Sequence, residues 1–413
     1  MLHRSLIVSA LSVAFASAPL APALAAPATA PLTATQVLNQ MNAVSLTDIA
    51  TTSGGKVHGR TWAAGSVTGG EYGNQLGSAP ASDYAGLTAG SVSYATEAWG
   101  NRNVTVNRGG VVTQGSLNGV TVNEGINVVG GDVSGSTLNR ASQVAGSVAN
   151  STFNGGAVIG GSVAGSNING GAFVGGAAAN TSINGGGTVA GAVANTTING
   201  GAFQGLAADF ATGKAAATST DFGAVLGNLS NSLAQLKSTG STVDISGNRA
   251  TFTAVANAGG VAVFDLTGFD DSLFGLGEFM FNLNGASTVI MNSDVASASI
   301  HANFLEGSAR KIGSQVIWNF HDATSLAIGS QFGGAVLATG ALVTNTADIE
   351  GGLFANALDL RAQVHVQPFT GDVGFLSPVP EPSVVAMIMA GLAVFGLGGL
   401  RRRQDQEKFS DDA

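Results

Sequence analysis

Hydrophobic and polar positions recur every 15 residues in the middle of the chain. Fixed-period repeats are typical of stacked identical units, each of which contacts mainly its neighbours. Fifteen residues are too few for two helices but enough for two or three short strands with turns. The copies begin at Gly115, Gly130, Ala145, Gly160, Gly175 and Ala190, the first with one extra residue, and the tract covers residues 115–204.

Equivalent positions of the copies carry the same kind of side chain. Two columns are apolar, and an asparagine column followed by two glycine columns comes next. Asn-Gly-Gly supplies the positive φ angles that a sharp corner requires. The pattern therefore predicts a mainly β fold, a β-solenoid that buries each apolar column between coils. The columns are Val133, Val148, Val163, Ala178 and Val193; Leu138, Phe153, Ile168, Ile183 and Ile198; and the asparagines Asn154, Asn169, Asn184 and Asn199.

The asparagine column has two interpretations. In the first, these residues form turns and stack on one another as a ladder along the solenoid. In the second, the ladder binds a ligand on a flat face, together with Thr181, Thr196 and Thr197. The spacing of these threonines is irregular along the chain, which argues against a regular hydroxyl array.

A helical stripe follows the repeats. Apolar residues from Phe222 to Leu236 fall three or four positions apart, with Thr220 or Asp221 as a possible cap and Gly240 as the exit. The pattern predicts one amphipathic helix over residues 220–238, packed alongside the solenoid, although the stripe could instead bind a partner. From residue 241 to 373, short apolar runs separated by turn residues predict further strands that complete the same solenoid.

Composition narrows the choice of function. Only 10% of the residues are charged, the formal net charge is −9, and 61 residues are glycine. The main body is poor in cations, so nucleic acid is not an expected partner. The chain contains no cysteine, which excludes disulfides, zinc–thiolate sites and thiol nucleophiles.

The N-terminus has the pattern of a secretory signal peptide. Arg4 precedes an apolar run over residues 6–15, and small residues lead to an A-x-A site at Ala23 and Ala25. An uncleaved anchor is the alternative, but the run is too short to span a bilayer. We expect a signal peptide at 1–25, export by the Sec machinery and a linker at 26–34.

The C-terminus has the pattern of a membrane anchor. A linker at 374–383 ends in the motif Val379-Pro380-Glu381-Pro382-Ser383. An apolar stretch at 384–400 is long enough for a short transmembrane helix. Arg401, Arg402 and Arg403 begin a basic tail at 401–413, which should stay in the cytoplasm.

This order of proline-glutamate-proline motif, apolar helix and arginine cluster resembles the PEP-CTERM sorting signal. The resemblance implies an exosortase as a partner, cleavage near Pro380–Pro382, and transfer from the inner membrane to the cell surface or the extracellular matrix. A plain single-pass tail anchor is the alternative.

The body between the two ends resembles the choice-of-anchor A domain, over residues 35–373. The resemblance lies in five segments: 57–65 with His58 and Arg60, 317–323 with Trp318 and His321, 332–338 with two glycines, 351–355, and 365–369. The family is regarded as an adhesive domain found with different surface-anchoring signals. The long repeat tract is a departure from it.

Candidate catalytic groups are few. His58, His301 and His321 could form a metal site only by assembly across coils, and neighbours such as His321 and Asp322 should point to opposite faces of a strand. A glycosidase needs two carboxylates across a cleft, for which the candidates are Asp265, Asp270, Asp271 and Glu278. We therefore predict no catalytic residue, no bound metal and no cofactor.

The leading interpretation is an exported structural or adhesive protein at the cell surface, associated with exopolysaccharide or biofilm. Its mechanism would be many weak contacts along a rigid face, multiplied by the display of many copies. The alternatives are an ice-binding surface and a polysaccharide-degrading β-helix enzyme.

Overall fold

The computed structural model describes residues 30–52, 54–97 and 100–376, which fold into a β-solenoid with three of its helices along one side. This confirms the predicted fold class. The described α-helices are α1 Ala34–Gln40, α2 Phe210–Ser219, α3 Phe222–Ala234, α4 Asp270–Phe274 and α5 Ser308–Ile312, and 3-10 turns lie at Leu76–Ser78, Leu305–Gly307 and Gly374–Leu376.

The strands are short, and most coils contain three of them. Those before α2 are β1 Ala43–Ser45, β2 Ile49–Thr51, β3 Lys56–Val57, β4 Thr61–Thr68, β5 Glu71–Tyr72, β6 Leu87–Ser93, β7 Ala95–Glu97, β8 Gly100–Arg102, β9 Val104–Val106, β10 Val111–Thr113, β11 Leu117–Asn118, β12 Val120–Val122, β13 Asn127–Val129, β14 Val133–Ser134, β15 Thr137–Leu138, β16 Ser142–Val144, β17 Val148–Ala149, β18 Thr152–Phe153, β19 Ala157–Ile159, β20 Val163–Ala164, β21 Asn167–Asn169, β22 Ala172–Val174, β23 Ala178–Ala179, β24 Ser182–Asn184, β25 Gly187–Val189, β26 Val193–Ala194 and β27 Thr197–Asn199.

The second half of the chain adds longer strands. Those after α3 are β28 Thr242–Ser246, β29 Arg249–Thr253, β30 Val261–Asp265, β31 Glu278–Asn282, β32 Thr288–Ser293, β33 Ser297–Ile300, β34 Asn303–Phe304, β35 Val316–Phe320, β36 Ser325–Ile328, β37 Phe332–Gly333, β38 Ala335–Asn345, β39 Ile349–Glu350, β40 Leu353–Leu360 and β41 Gln363–His365.

The stacked coils form three faces, and the strands within each face run parallel to one another. Face C is a 12-stranded sheet that runs from β37 through β41 and β3 to β27. Faces A and B together form a 23-stranded sheet, because strands such as β4 and β38 cross the corner between them. Face A contains β30, β32, β35, β1, β10, β13, β16, β19, β22, β25 and the first halves of β38, β40, β4 and β6. Face B contains β33, β36, β2, β11, β14, β17, β20, β23, β26 and the second halves of those same four strands.

Each coil forms because its apolar residues alternate with polar ones and point inward. In the coil that starts at Ser142, Val144 faces inward from face A, Val148 from face B and Phe153 from face C, and all three are buried. Corners require backbone in the left-handed region, which Asn150 supplies at one corner and Gly156 at another. Stacking of copies buries each column against itself, as the repeat predicts.

The order of coils in space differs from their order in the chain. Strand β1 pairs with β4 on one side and with β40, close to the end of the described chain, on the other. The repeat tract therefore forms one half of the stack and residues 261–365 form the other, with the first coil between them. The sequence predicted that both groups of coils belong to one solenoid, but it gave no sign of this insertion.

The solenoid end near β30 is capped. A hairpin of β28 and β29 continues through β31 to β34, and α4 packs against β33, the outermost strand of face B at this end. Inside this end, Phe252, Phe279 and Trp318 pack edge to face or stacked within about 6 Å of one another. The hairpin and its aromatic core close the stack at this end, which the sequence did not predict.

The amphipathic stripe packs on face A, as predicted. Phe222, Leu226 and Leu233 of α3 are buried with Ile317 and Phe354 of the sheet in one cluster. The predicted range 220–238 holds one helix, α3, which starts where the Asp221 carboxylate accepts the N–H of Ala224, but a second helix, α2, ends just before it at Ser219. The alanine-rich α2 has little amphipathic pattern, so the sequence did not reveal it.

Candidate ligand-binding surface

Face C carries a row of small polar side chains in register along the repeat tract. Thr121 lies opposite Thr105 on one side and Thr137 on the other, and Thr137 lies opposite Thr152. The row continues through Asn167, Ser182 and Thr197. Neighbouring strands lie about 4.8 Å apart, so the row offers a polar group at that interval.

A second row runs beside the first, two residues further along each strand. It is a hydrogen-bonded asparagine ladder, in which the side-chain amide of each residue donates to the side-chain oxygen of the one before, at 2.7–3.2 Å. Side chains at i and i+2 share one face of a strand, about 6.6 Å apart. The ladder consists of Asn107, Asn123, Asn139, Asn154, Asn169, Asn184 and Asn199.

The motif behind the two rows is Thr-x-Asn, as in Thr137-Leu138-Asn139. The polar residues face outward, and the central apolar residue, here Leu138, is buried. Thr105, Thr121, Thr137 and Thr152 were missed in the sequence, although their constant position two residues before the asparagines would have revealed them. The expectation of an irregular hydroxyl array was therefore wrong for this face.

The other threonines considered as ligands occupy different places. Thr181 is buried at the corner between faces B and C, Thr196 occupies the equivalent corner of the last coil, and Thr197 belongs to the row. The asparagines of the ladder do not supply the corner's positive φ angles. The glycines after them do, with φ of 91° at Gly170 and 94° at Gly185.

The hydroxyls of the central part of the row are available to a ligand. Thr121, Thr137 and Thr152 form no side-chain hydrogen bond to any residue of the described ranges. Hydroxyls at the corner before face B are instead occupied by backbone hydrogen bonds. The Ser147 hydroxyl accepts the N–H of Ser162, and the Ser162 hydroxyl accepts the N–H of Ala177. The outward threonines of face C thus keep both donor and acceptor capacity.

The outward columns of the remaining faces of the repeat tract offer fewer polar groups. The outward column of face B is alanine in its last four coils, at Ala149, Ala164, Ala179 and Ala194. Face A shows a mixed column of Gln143, Val158, Phe173 and Thr188, beside a groove of about 490 Å³ at Lys214 of α2. Face C is the one with two polar rows.

Face C of the repeat tract carries few charged residues. Arg108 and Glu124, which follow the first two ladder asparagines, lie 3.8 Å apart as an exposed ion pair. The sequence has no Asp, Glu, Lys, Arg or His between Arg140 and Asp209. Hydrogen bonds and van der Waals contact, rather than charge, are therefore what this surface offers.

A polar cluster that the sequence did not reveal lies at the seam between the first and last coils. Glu350 of β39 is buried and accepts hydrogen bonds from Arg310 Nε at 3.0 Å, Gln331 at 2.7 Å, His365 Nδ1 at 2.9 Å and Gln367 at 3.0 Å. Burial raises the pKa of Glu350, but Arg310 and His365 outweigh it and hold the pKa below its ordinary value. The cluster fixes β39 to β41 and α5.

His58 stacks on His365 at this seam, with ring centroids 4.9 Å apart. Its Nδ1 is buried and has no hydrogen-bond partner among the described residues. Burial, followed by the neighbouring His365, lowers the pKa of His58 below its ordinary value. Both histidines therefore belong to the joint between the halves of the solenoid.

Three of the four candidate catalytic carboxylates have structural partners. Asp270 is buried and accepts the hydroxyl of Ser293 at 2.6 Å and the N–H of Val295 at 3.1 Å. Asp265 accepts from Thr267, and Glu278 pairs with Arg249 at 2.8 Å. Asp270 and Asp271 begin the short helix α4.

The predicted separation of His321 and Asp322 is wrong. They follow β35 in a turn rather than on the strand, and His321 Nδ1 lies 3.2 Å from an Asp322 carboxylate oxygen. Within residues 30–52, 54–97 and 100–376, no group of three or more His, Asp or Glu side chains is placed to hold a metal ion. His58, His301 and His321 form no such cluster there.

A comparison with protein families decides the affiliation. Residues 111–366 match the family model described as "Putative Ice-binding-like adhesive domain". The chain belongs to this family. The matched region holds the face C rows from Thr121 and Asn123 onward, α2, α3 and most of the second half. An adhesive, ice-binding-like domain supports a surface role in adhesion or ice binding, suggests a protein without catalysis, and is consistent with an extracellular or cell-surface location.

Other comparisons add little to the family assignment. The solved structure of an ice binding protein from an Antarctic bacterium Flavobacteriaceae has 12% sequence identity, with 82% of this chain and 99% of that chain covered, at a TM-score of 0.19. That likeness is too low to support any argument. No curated protein matches the chain.

The predicted export and sorting segments fall outside the described residues. These are the signal cleavage site at Ala23 and Ala25, the motif at Val379–Ser383, the transmembrane helix at 384–400 and Arg401–Arg403. Among the described helices, none is both long and apolar enough to cross a membrane. The resemblance to PEP-CTERM sequences therefore stays a prediction, as does that of residues 35–373 to the choice-of-anchor A domain, because the matching family model has a different description.

Proposed function

We propose that this protein is an adhesin of the bacterial surface that holds neutral, hydroxyl-rich polymers, such as exopolysaccharide, against face C. The observation that carries the proposal is the pair of in-register rows, threonine and asparagine, along the repeat tract. Sugar hydroxyls both donate and accept hydrogen bonds, as the threonine hydroxyls and asparagine amides do. An extended polymer along the rows meets the same groups at each coil.

The binding mode is many weak contacts. A hydrogen bond contributes roughly 0.5–1.5 kcal/mol net, so one coil binds little and a row of coils binds appreciably. The preformed, stacked coils hold the groups in place, which lowers the entropic cost of binding. Because the surface is neutral between Arg140 and Asp209, binding should change little with ionic strength.

The location completes the proposal. A signal peptide at 1–25 would direct the chain to the Sec machinery, and an exosortase would act on the motif at Val379–Ser383. The inner membrane would hold the protein only until processing. The adhesin would then remain on the cell surface or in the matrix, within a biofilm.

The test is retention of extracted exopolysaccharide by cells that display the protein. Thr137→Val with Thr152→Val removes two hydroxyls but keeps side-chain shape and strand preference. We expect affinity to fall roughly tenfold or more. The matched control is Thr68→Val with Thr344→Val on face B, which should bind as the unchanged protein does. Equal binding by all three proteins would reject face C.

Ice binding is the second candidate, because the threonine row combines hydroxyl and methyl groups in a flat, regular array. Thermal hysteresis of the protein is the test. Hysteresis that is lost in the Thr137→Val, Thr152→Val variant would favour ice over polysaccharide. A freezing point equal to that of a control protein would remove this candidate.

A further inference from the structure

Among the strands that the structure describes, none pairs with the outer side of the last coil of the repeat tract. This coil, the tip, consists of β25, β26 and β27, and each pairs with the preceding coil alone. Its exposed residues include apolar ones whose equivalents in the preceding coils face the core. Val193 is 52% exposed and Ile198 37%, whereas Val163 and Ile168, the equivalent residues two coils earlier, are buried.

The backbone of the tip is also unsatisfied on its outer side. In earlier coils the backbone N–H donates to a carbonyl of the following coil: the N–H of Val163 donates to the carbonyl of Ala177, and the N–H of Ala178 donates to the carbonyl of Ala192. Val193 is next in this column, and the described chain has no coil beyond it to accept its N–H. One backbone hydrogen bond, from the N–H of Gly187 to the carbonyl of Gly201, satisfies part of the outer edge of β25. Exposed strand edges of this kind are templates for pairing with another chain.

The usual protection of such an edge is missing. Natural proteins place lysine, other charges or proline on edge strands, and repeat proteins end in a polar capping unit. Residues 187–206 contain neither a charged residue nor proline. The opposite end of the same solenoid, by contrast, is closed by the β28–β29 hairpin and α4.

We propose that the tip is a self-association surface, on which the tip of a second copy of this chain docks end to end. A two-fold axis would place the outer edges of one tip antiparallel to those of the other and would bury Val193 and Ile198 of both copies. In such an interface residues near the axis meet their own copies, so a tip without charges incurs no like-charge repulsion there. The whole chain has a net charge of −9, so two copies repel each other and contacts through other surfaces are disfavoured.

The position of the tip suits contact between cells. The described chain ends beside β32, where the N–H of Asp372 bonds to Thr288. Twelve strand steps along face A separate β32 from β25: β35, β38, β40, β1, β4, β6, β10, β13, β16, β19, β22 and β25. At about 4.8 Å per step, the tip lies roughly 58 Å from the end that leads to the predicted anchor.

A single coil end is small compared with the roughly 800 Å² per partner of a standard interface. The contact is therefore weak between isolated molecules and becomes effective between surfaces that display many copies. This step rests on the proposed surface location, whereas the docking of two tips does not.

The absence of cysteine from the sequence allows a clean crosslinking test on cells that display the full chain. Ala194→Cys places a thiol at the tip, and Ala164→Cys places one in the equivalent position two coils earlier. With a short bis-maleimide crosslinker, we expect a dimer from Ala194→Cys and little from Ala164→Cys. Adding Val193→Asp to Ala194→Cys should abolish the dimer, while exopolysaccharide retention through face C is unchanged.

Two outcomes would overturn the proposal. Equal dimer yields from both thiols would show lateral crowding on the cell rather than contact between tips. A tip thiol that is shielded from a maleimide label without forming a dimer would mean that another occupant, such as a terminal segment of the chain, covers the tip. If retention fails but crosslinking succeeds, the proposed function is wrong and tip docking stands.

Discussion

The side-chain amide of Asn42 donates a hydrogen bond of 2.9 Å to the backbone carbonyl of Gly351, which lies 309 positions later in the sequence. The same amide donates to the carbonyl of His365 at 3.0 Å, and the Asn42 side-chain oxygen accepts the N–H of Gly59 at 2.8 Å. One buried residue therefore satisfies three backbone groups from three coils. It joins the start of the solenoid to its last coils.

Replacing Asn42 with alanine should destabilise the whole solenoid. Each buried backbone group left without a partner costs about 1–3 kcal/mol, so we expect a loss of roughly 3 kcal/mol or more in the free energy of unfolding. Denaturant titration of the unchanged and Asn42→Ala proteins measures the loss. The control is Asn169→Ala, which removes two ladder bonds at the solvent-facing surface and should cost about 1 kcal/mol. Equal costs would mean that Asn42 is not a special joint.

Acid should weaken the same seam. The pKa of His58 lies below its ordinary value of 6.5 because of burial and His365, so the unfolded chain binds a proton more readily. The stability that neutral His58 contributes is complete above pH 6.5 and is lost as pH falls through the folded pKa. Glu350, with its pKa below 4.5, adds a second loss in the same direction at lower pH.

The measurement is the unfolding temperature between pH 7.5 and 5. We expect it to decrease over this interval in the unchanged protein and to decrease less in His58→Gln, which does not titrate. His301→Gln, at an exposed position, is the matched control and should keep the full dependence. A slope that is the same in His58→Gln as in the control would contradict this role for His58.

Particular residues show how far the sequence could predict this fold. The 15-residue period determined the register, because Val148 and Val163 recur at one position and must stack to be buried. The Asn154–Asn169 contact followed from the same period. Local pattern could not predict the pairing of Ala43 with Leu353, since β1 is three residues long and its partner is determined by long-range packing.

The candidate site was only half predicted for a similar reason. The asparagine column is continuous and was visible, whereas the threonine row changes to Asn167 and Ser182 and shifts by one residue before Gly130. The Glu350 cluster draws on Arg310, Gln331 and His365, which are separated along the chain and meet only when β37, β39 and β41 stack. No local spacing indicates such a cluster.

Removal of one whole repeat tests the modular stacking. Deletion of residues 160–174 joins Ile159 to Gly175 and leaves every column in register, because β19 would then precede the coil of β23 and β25. We expect a folded protein with a nearly unchanged unfolding temperature. Deletion of residues 160–173, one residue shorter, turns inward side chains outward in the next coil and should lower that temperature markedly. Similar behaviour of the two deletions would contradict the register.

The central claim is that face C is the binding surface, and a steric block in the middle of its row tests it most directly. Thr137→Tyr places a large ring across the flat array, and Thr344→Tyr places the same ring on face B in the other half of the solenoid. The measurement is the amount of exopolysaccharide retained by cells that display each variant in equal numbers. We expect strong loss of retention for Thr137→Tyr and none for Thr344→Tyr. Full retention by Thr137→Tyr would contradict the claim.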